Sequence, residues 1–224
     1  MPEGGTPTDG GLRDRLRASY ADRATARDGS RYPTWKRVER DRFLGHLQST
    51  GARRLLEVGA GSGRDAAAFR DAGLDIVCID LSPDMVAHCL GKGLDAREMD
   101  VVDLRLPDGS FDAAYSFNSL LHLPKAEFPV ALREVRRMLR AGGLFYLGVY
   151  GGFDHEGIWE GDTYRPKRFF SFHSDERLLE QAGAVFDVVS FHRVRLESEG
   201  GRPHFQSLLL RRRGSDREPR REAE

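Results

Sequence analysis

The chain has 224 residues, of which 35 are basic and 35 acidic, enough for one sizeable α/β core with too little left for a second full domain. Balanced charge leaves no global field drawing the protein to nucleic acid or to an anionic membrane. No apolar run approaches the length that spans a bilayer and the N-terminus lacks the apolar core of a signal peptide, so a cytoplasmic enzyme is expected. Residues 1–11 are polar and glycine-rich and are expected to be disordered. Residues 12–50 are expected to form a helical cap, with helices at 12–21 and 35–47 separated by Asp28 to Pro33; Val38, Phe43, Leu44 and Leu47 recur at helical spacing on the second. Beyond it, strands at 53–58, 74–80, 95–99, 112–117 and 143–150 alternate with helices at 64–72, 83–90 and 126–140, which predicts a parallel sheet. The stretches 185–196 and 205–212, separated by Glu197 to Pro203, read as a closing antiparallel pair. The charged tail 213–224 is expected to be disordered, and from Arg211 onward nothing is expected to be buried. Cys78 and Cys89 stand in no metal-ligand spacing and read as reduced, packed thiols.

The segment Leu55-Leu56-Glu57-Val58-Gly59-Ala60-Gly61-Ser62-Gly63 reads as a buried strand ending in an acid, then a glycine turn opening the helix at Arg64. The spacing is G-x-G-x-G, with Arg64 where a dinucleotide fingerprint needs its third glycine, so a nicotinamide-dependent oxidoreductase is disfavoured. A Walker phosphate loop is missing. Glu57, two residues before the first glycine, repels phosphate and suits the cationic end of an amino acid; a partner for the helix dipole is its other reading. Asp80 ends the second strand, where a carboxylate can accept both ribose hydroxyls, but it also fits as an N-cap or loop acid before Ser82-Pro83.

The glycine turn with Glu57 and Asp80 resembles the first motifs of class I S-adenosylmethionine-dependent methyltransferases. Arg97 to Asp112 is similar to that family's adenine-contacting acid, Leu-Pro loop and fourth strand, and Glu134 to Gly143 to the helix and turn before strand five. The resemblance covers roughly residues 50–150 and implies a Rossmann-like, seven-stranded, mostly parallel sheet with helices on both faces and an antiparallel C-terminal strand pair. The methyltransferase domain is then 51–212, with an aromatic insert at 151–173. S-adenosyl-L-methionine is the implied cofactor, held by Glu57, Gly59, Ala60, Gly61, Gly63, Asp80, Leu81, Met85, Asp100, Val101 and Phe117. Asp103 competes with Asp100 for the adenine amino group.

The implied reaction is in-line displacement on a sulfonium methyl, where alignment supplies much of the catalysis. His122, just after strand four, is a candidate general base, with closure of a loop over the cofactor as its alternative. His155, between Asp154 and Glu156, is a second candidate base or a solvated loop residue. A metal site of His155, Glu156 and His173 lacks any ligand motif, and no metal is expected. Between Phe153 and Phe172 the aromatics Trp159, Tyr164 and Phe170, interleaved with Arg165, suit a lid over a planar or acidic small molecule; the same aromatics equally suit packing of the insert onto the sheet. Tyr32 and Trp35 of the cap, with Tyr20 and Arg31 beside them, are candidates to complete that lid. The stretch after strand four, Ser116 to Leu121, has no Pro pair, which disfavours a flipped nucleobase and leaves the small-molecule branch, which includes quinone and natural-product biosynthesis. The expected partner is a small-molecule acceptor, with no nucleic acid or membrane, for a monomer or homodimer. The rival from another class is a non-catalytic S-adenosylmethionine-binding partner subunit.

Overall fold

The computed structural model describes residues 9–21, 29, 31–195 and 203–214. Residues 1–8 of the expected disordered N-terminus, most of the Glu197–Pro203 turn and residues 215–224 of the tail lie outside the described residues. The chain opens with helices α1 (Asp9–Tyr20) and α2 (Thr34–Thr50). It continues through β1 (Arg54–Val58), α3 (Arg64–Asp71), β2 (Asp75–Asp80), α4 (Pro83–Gly91), β3 (Asp95–Glu98) and β4 (Phe111–Phe117). After a 3-10 turn at Leu120–His122 come α5 (Phe128–Met138), β5 (Leu139–Gly151), β6 (His155–Ile158), β7 (Phe169–Phe172), α6 (Asp175–Val185), β8 (Asp187–Val194) and β9 (His204–Arg211).

Seven strands form one sheet in the order β3-β2-β1-β4-β5-β9-β8. The first five run parallel, and β9 pairs antiparallel with both β5 and β8. This is the α/β fold expected from the alternation of elements. The central strands are apolar on both faces because both are covered. One face of the sheet packs on Phe128, Ala131, Leu132, Val135 and Met138 of α5 and on Leu178 and Ala182 of α6. The other packs on Phe43 and Leu47 of α2, Ala66 and Phe69 of α3 and Cys89 of α4.

Several boundaries differ from expectation. Residues 9–11, expected to be disordered, are the first turn of α1. Helix α5 starts at Phe128 rather than 126 because Pro129 belongs in a first helical turn. It ends at Met138 because Leu139 is already extended and pairs with Phe111. The insert is a second sheet: β6 pairs antiparallel with β7, His155 opposite Phe172 and Ile158 opposite Phe169. The start of the tail is tied down rather than bare: Arg212 reaches the Leu139 carbonyl, and Arg213 Nε donates to Asp187 Oδ1 at 2.8 Å. Among the described residues, no helix is long and apolar enough to cross a membrane.

Candidate functional site

The site is built at the carboxyl ends of β1, β2 and β4, where the parallel strands hand over to loops. The three glycines after β1 all take positive φ, +70° at Gly59, +56° at Gly61 and +75° at Gly63, but for different reasons. A Cβ at Gly59 would overlap the Ser119 side chain, and one at Gly63 would come within 2.7 Å of Leu94 Cδ1 and 2.8 Å of Cys89 Sγ. A Cβ at Gly61 would meet nothing within 4 Å. Two glycines are therefore demanded by protein packed against the turn, and Gly61 alone opens onto empty space.

Asp80 organises this turn. Its Oδ2 accepts the Gly61 amide at 2.8 Å and its Oδ1 the Ser82 amide at 2.9 Å. The helix cap is Ser82, whose hydroxyl accepts the Met85 amide, so the N-cap reading of Asp80 is corrected. A carboxylate offers about four acceptor positions. Glu57 is 4% exposed and its Oε2 has no hydrogen-bond partner among the described residues. Burial first, and then the Asp65, Cys89 and Asp80 side chains, push its carboxyl well above the usual carboxylate range. Asp65 beside it accepts the Tyr32 hydroxyl at 2.6 Å and the Tyr115 hydroxyl at 3.3 Å.

Two spaces meet at this turn. A narrow slot runs past Gly59, Gly61, Asp80, Leu81, Met85, Phe117, Asn118 and His122, and continues past Val58, Ile79, Met99, Asp100, Val101, Leu120 and Leu123. A wider cavity of about 340 Å³ opens on the other side of Gly61, against Glu57, Ala60, Asp65, Phe117 and Asn118. Its charged rim is Arg31, Lys36 and Arg64, and Tyr32 and Tyr164 stand beside them. Asn118, at φ +57°, is the one described non-glycine residue at positive φ; its amide donates to the Gly148 carbonyl at 2.7 Å, and its Oδ1 is buried without a partner among the described residues.

Helix α1 lies across the slot. Leu16, Arg17 and Tyr20 line it. Arg17 Nε donates to the Leu81 carbonyl at 3.1 Å, and Arg13 bridges Asp100 and Glu127, reaching Glu127 Oε2 at 2.9 Å. Tyr20 hydrogen-bonds His122 Nε2 at 3.1 Å, and His122 Nδ1 lies 2.9 Å from the Phe169 carbonyl oxygen. Arg168 Nη1 donates to the Tyr20 hydroxyl at 2.9 Å while the same guanidinium holds Asp162 through two hydrogen bonds. Burial, which would raise the Asp162 carboxyl, is outweighed by Arg168, and the group is held well below the usual range.

The structure brings together Glu57, Gly59, Ala60, Gly61, Asp80, Leu81, Met85, Asp100, Val101, Phe117, His122, Tyr32 and Tyr164 around these two spaces. Gly63 serves from behind, as the N-cap of α3. Asp100 is corrected in one respect: Arg13 already pairs with its carboxylate, because α1 docks over the slot. His155 is a correction. It packs at 5.3 Å from Trp159 in the insert, outside the lining of both spaces, while Glu156 and Asp154 serve Lys125 instead. Trp159 and Phe172 pack together at 5.4 Å, so the packing reading holds for Trp159. Phe170 lies against His122 at 4.7 Å, behind the slot. Arg165 is exposed and turns back onto the carbonyls of Asp162 and Tyr164, which removes it from the candidate lid. Trp35 supports the wall from outside, 5.8 Å from Phe117 and 4.9 Å from Phe205. Among the described residues, no three His, Cys, Asp or Glu side chains are grouped to hold a metal.

Sequence reasoning missed Arg13, Leu16 and Arg17 on α1 and Lys36, Arg64, Asp65 and Asn118 on the cavity wall. Arg64 and Asp65 directly follow the glycine turn, a position that could have flagged them. The role of α1 left no local signal, since its partners are 87 and 114 residues away.

Residues 56–147 match the family described as Methyltransferase domain. Glycine N-methyltransferase of Oryctolagus cuniculus is 28% identical over 148 residues, spanning 56% of this chain and 48% of that protein. Ubiquinone biosynthesis O-methyltransferase of Xanthomonas oryzae pv. oryzae is 33% identical over 142 residues, spanning 59% of this chain and 58% of that protein. The chain thus spans about half the length of the curated relatives it matches. Among solved structures, the 1,6-didemethyltoxoflavin-N1-methyltransferase of Burkholderia thailandensis, with 1,6-didemethyltoxoflavin and S-adenosylhomocysteine bound, superposes with a TM-score of 0.72 at 21% identity, covering 94% of this chain and 93% of that one. At that identity the likeness shows the fold.

Proposed function

We propose, for a chain that carries a methyltransferase domain over residues 56–147, that it transfers a methyl group from S-adenosyl-L-methionine to a small-molecule acceptor. The observation that carries this reading is the placing of Glu57 and Asp80 on the two sides of Gly61, at the ends of adjacent parallel strands. The residues fit the cofactor. Glu57 offers a buried, unpartnered carboxyl oxygen where a cationic amino-acid end needs one, and its raised pKa falls back once an ammonium pairs with it. Gly61 leaves the backbone bare for close approach. Asp80 lines the slot at the end of β2, where a carboxylate suits ribose hydroxyls, and Leu81, Met99, Val101, Leu120 and Leu123 give the slot the apolar walls that suit a purine.

When bound, the cofactor supplies an electrophilic methyl on a sulfonium. The chain's own share is positioning: Gly59, Gly61, Phe117 and Asn118 line both spaces and so stand where donor and acceptor would meet. Helix α1 covers one side of the slot with Leu16, Arg17 and Tyr20. The amino-acid end of the cofactor takes the Glu57 side of the wider cavity, and the acceptor takes the part between Phe117 and Tyr164, near the cations Arg31, Lys36 and Arg64. A concave pocket of about 340 Å³ supports a small molecule over a nucleic acid. The relatives cited act on small molecules by their names, and a cytoplasmic setting accords with two free, buried cysteines.

The alternative of a non-catalytic binding subunit has no observation in its favour. Calorimetry with S-adenosylhomocysteine, S-adenosylmethionine and NADH, followed by mass spectrometry of a panel of phenols, carboxylic acids and nitrogen heteroaromatics, tests the reading. Binding of the two sulfur cofactors and a mass gain of one methyl group are expected. Binding of NADH alone would sink it, and cofactor binding without transfer to any acceptor would favour the binding subunit.

A further inference from the structure

We propose that Tyr20 takes the proton from the acceptor and that His122 behind it is where the proton ends; the inference rests on the methyl-transfer reading. Three contacts define a hydrogen-bond chain with one direction. The Phe169 carbonyl can only accept, so His122 Nδ1, at 2.9 Å from it, carries the ring proton. In the neutral ring Nε2 is then an acceptor, and its partner at 3.1 Å, the Tyr20 hydroxyl, must donate. Arg168 can only donate, so at 2.9 Å it places a positive charge on the Tyr20 oxygen. The order is Arg168 to Tyr20 to His122 to the Phe169 carbonyl.

The position suits the task. Tyr20 and His122 both line the slot that holds Gly61, Asp80 and Met85. Tyr20 also packs edge-on, at 5.5 Å, against Tyr164 of the wider cavity, so it stands where the two spaces meet. His122 Nε2 is already engaged by the Tyr20 hydroxyl. A base that worked without Tyr20 would have to break this hydrogen bond first.

For an acceptor X–H, with X oxygen or nitrogen, the proton passes to the Tyr20 oxygen while the Tyr20 hydroxyl proton passes to His122 Nε2. The X–CH3 bond forms, the S–CH3 bond breaks with its electron pair left on sulfur, and the positive charge of the sulfonium ends as the His122 imidazolium. Arg168 stabilises negative charge growing on the Tyr20 oxygen, and Asp162 balances Arg168. The other charged groups around His122 are Asp80 along the slot, Arg17 on α1, and Arg13 with Asp100 and Glu127 on the far side. Tyr20 is thus the catalytic residue, and His122 acts through it.

The test uses the full chain saturated with S-adenosylhomocysteine. Long-range 15N–1H spectra of the His122 ring are recorded from pH 5.5 to 8.5, a range that spans the ordinary imidazole value of about 6.5, for the wild type and Tyr20→Phe. Turnover of both is then measured on whichever acceptor the panel yields. The expected result is a neutral ring protonated on Nδ1, a titration midpoint that moves up when Phe removes the hydroxyl donor, and turnover in Tyr20→Phe down by about a hundredfold or more at unchanged S-adenosylhomocysteine affinity. A ring protonated on Nε2, or a midpoint that ignores the substitution, overturns the relay. Wild-type turnover in Tyr20→Phe overturns it too, and a loss of cofactor affinity with turnover per bound complex intact makes Tyr20 a latch for α1. Wild type that methylates no acceptor is the separate failure of the methyl-transfer reading, in which case the relay falls with it.

Discussion

The Asp80 carboxylate accepts the Gly61 amide at 2.8 Å, so the acid that ends β2 fixes the glycine turn that follows β1. One side chain therefore sets the shape of the turn from a place in the lining of the slot. Asp80→Ala is expected to weaken S-adenosylhomocysteine binding by about 10- to 100-fold, the range for one or two charged hydrogen bonds. Asp80→Asn, which keeps one oxygen acceptor, should fall between it and wild type. Calorimetry on the three proteins checks this, and equal affinities would remove Asp80 from the site.

Glu57 gives a prediction with opposite signs for stability and binding. Burial, with Asp65, Cys89 and Asp80 adding to it, raises its pKa in the folded protein. The unfolded chain releases that proton first, so the ligand-free fold loses stability as pH climbs above the ordinary carboxylate range. Glu57→Gln removes the linkage. At pH 8 the variant should melt at or above the wild-type temperature without ligand, yet bind S-adenosylhomocysteine more weakly because a neutral amide cannot pair with an ammonium. Thermal melts at pH 5 and pH 8, with and without ligand, decide it: a Tm difference between the two proteins that is the same at both pH values would mean that Glu57 is not the titrating group.

The parts of this site that could be read in the sequence are those whose signal is local. Leu55, Leu56 and Val58 before the glycines, and Val77 to Ile79 before Asp80, announce buried strands by composition, and an acid at a strand end is visible as such. Which glycine meets protein and which meets ligand was hidden, because Ser119, Leu94 and Cys89 come from three later segments. The insert misled for a related reason. Phe169 and Phe172 are buried at 7% and 5% exposure while Tyr164 lines the cavity, and no periodicity distinguishes an aromatic that packs a ribbon from one that faces a ligand. Helix α1 carries Leu12, Leu16 and Tyr20 at a spacing common to any amphipathic helix. The pairing of Arg13 with Asp100 and Glu127, with the contacts of Arg17 to the Leu81 carbonyl and of Tyr20 to His122, tells which surface it covers.

That pairing should govern escape from the slot. Arg13 and Asp100 are each 22% exposed and Glu127 18%, so their attraction is partly shielded from solvent and salt. Arg13→Ala is expected to cost S-adenosylhomocysteine about 1 kcal/mol, roughly fivefold in Kd, through a faster dissociation rate rather than slower association. Stopped-flow displacement measures both rates. A variant whose dissociation rate matches wild type would show that α1 stays closed without Arg13.

His173 is expected to set the acid limit of the fold. It is 3% exposed, lies 4.8 Å from the Phe128 ring, and neither ring nitrogen has a hydrogen-bond partner among the described residues. Burial first, and then the Lys125 charge, lowers its pKa to about 4. The unfolded chain takes up a proton near the ordinary imidazole value of about 6.5, whereas the folded ring stays neutral until about pH 4. The stability it contributes is therefore present above pH 6.5 and drains away as pH falls towards 4, by at most about 3 kcal/mol. Glu39, whose carboxyl is lowered because Ser207 and His192 outweigh its burial, also loses stability on acidification, but only at and below the ordinary carboxylate range. Between about pH 6.5 and 4.5 Glu57 acts in the opposite sense, losing stability as pH climbs, so His173 is read there as a difference between two proteins that both keep Glu57. Urea unfolding in that interval should show wild type losing stability relative to His173→Phe as pH falls, and a difference between the two proteins that stays the same across the interval would assign the acid sensitivity to another group.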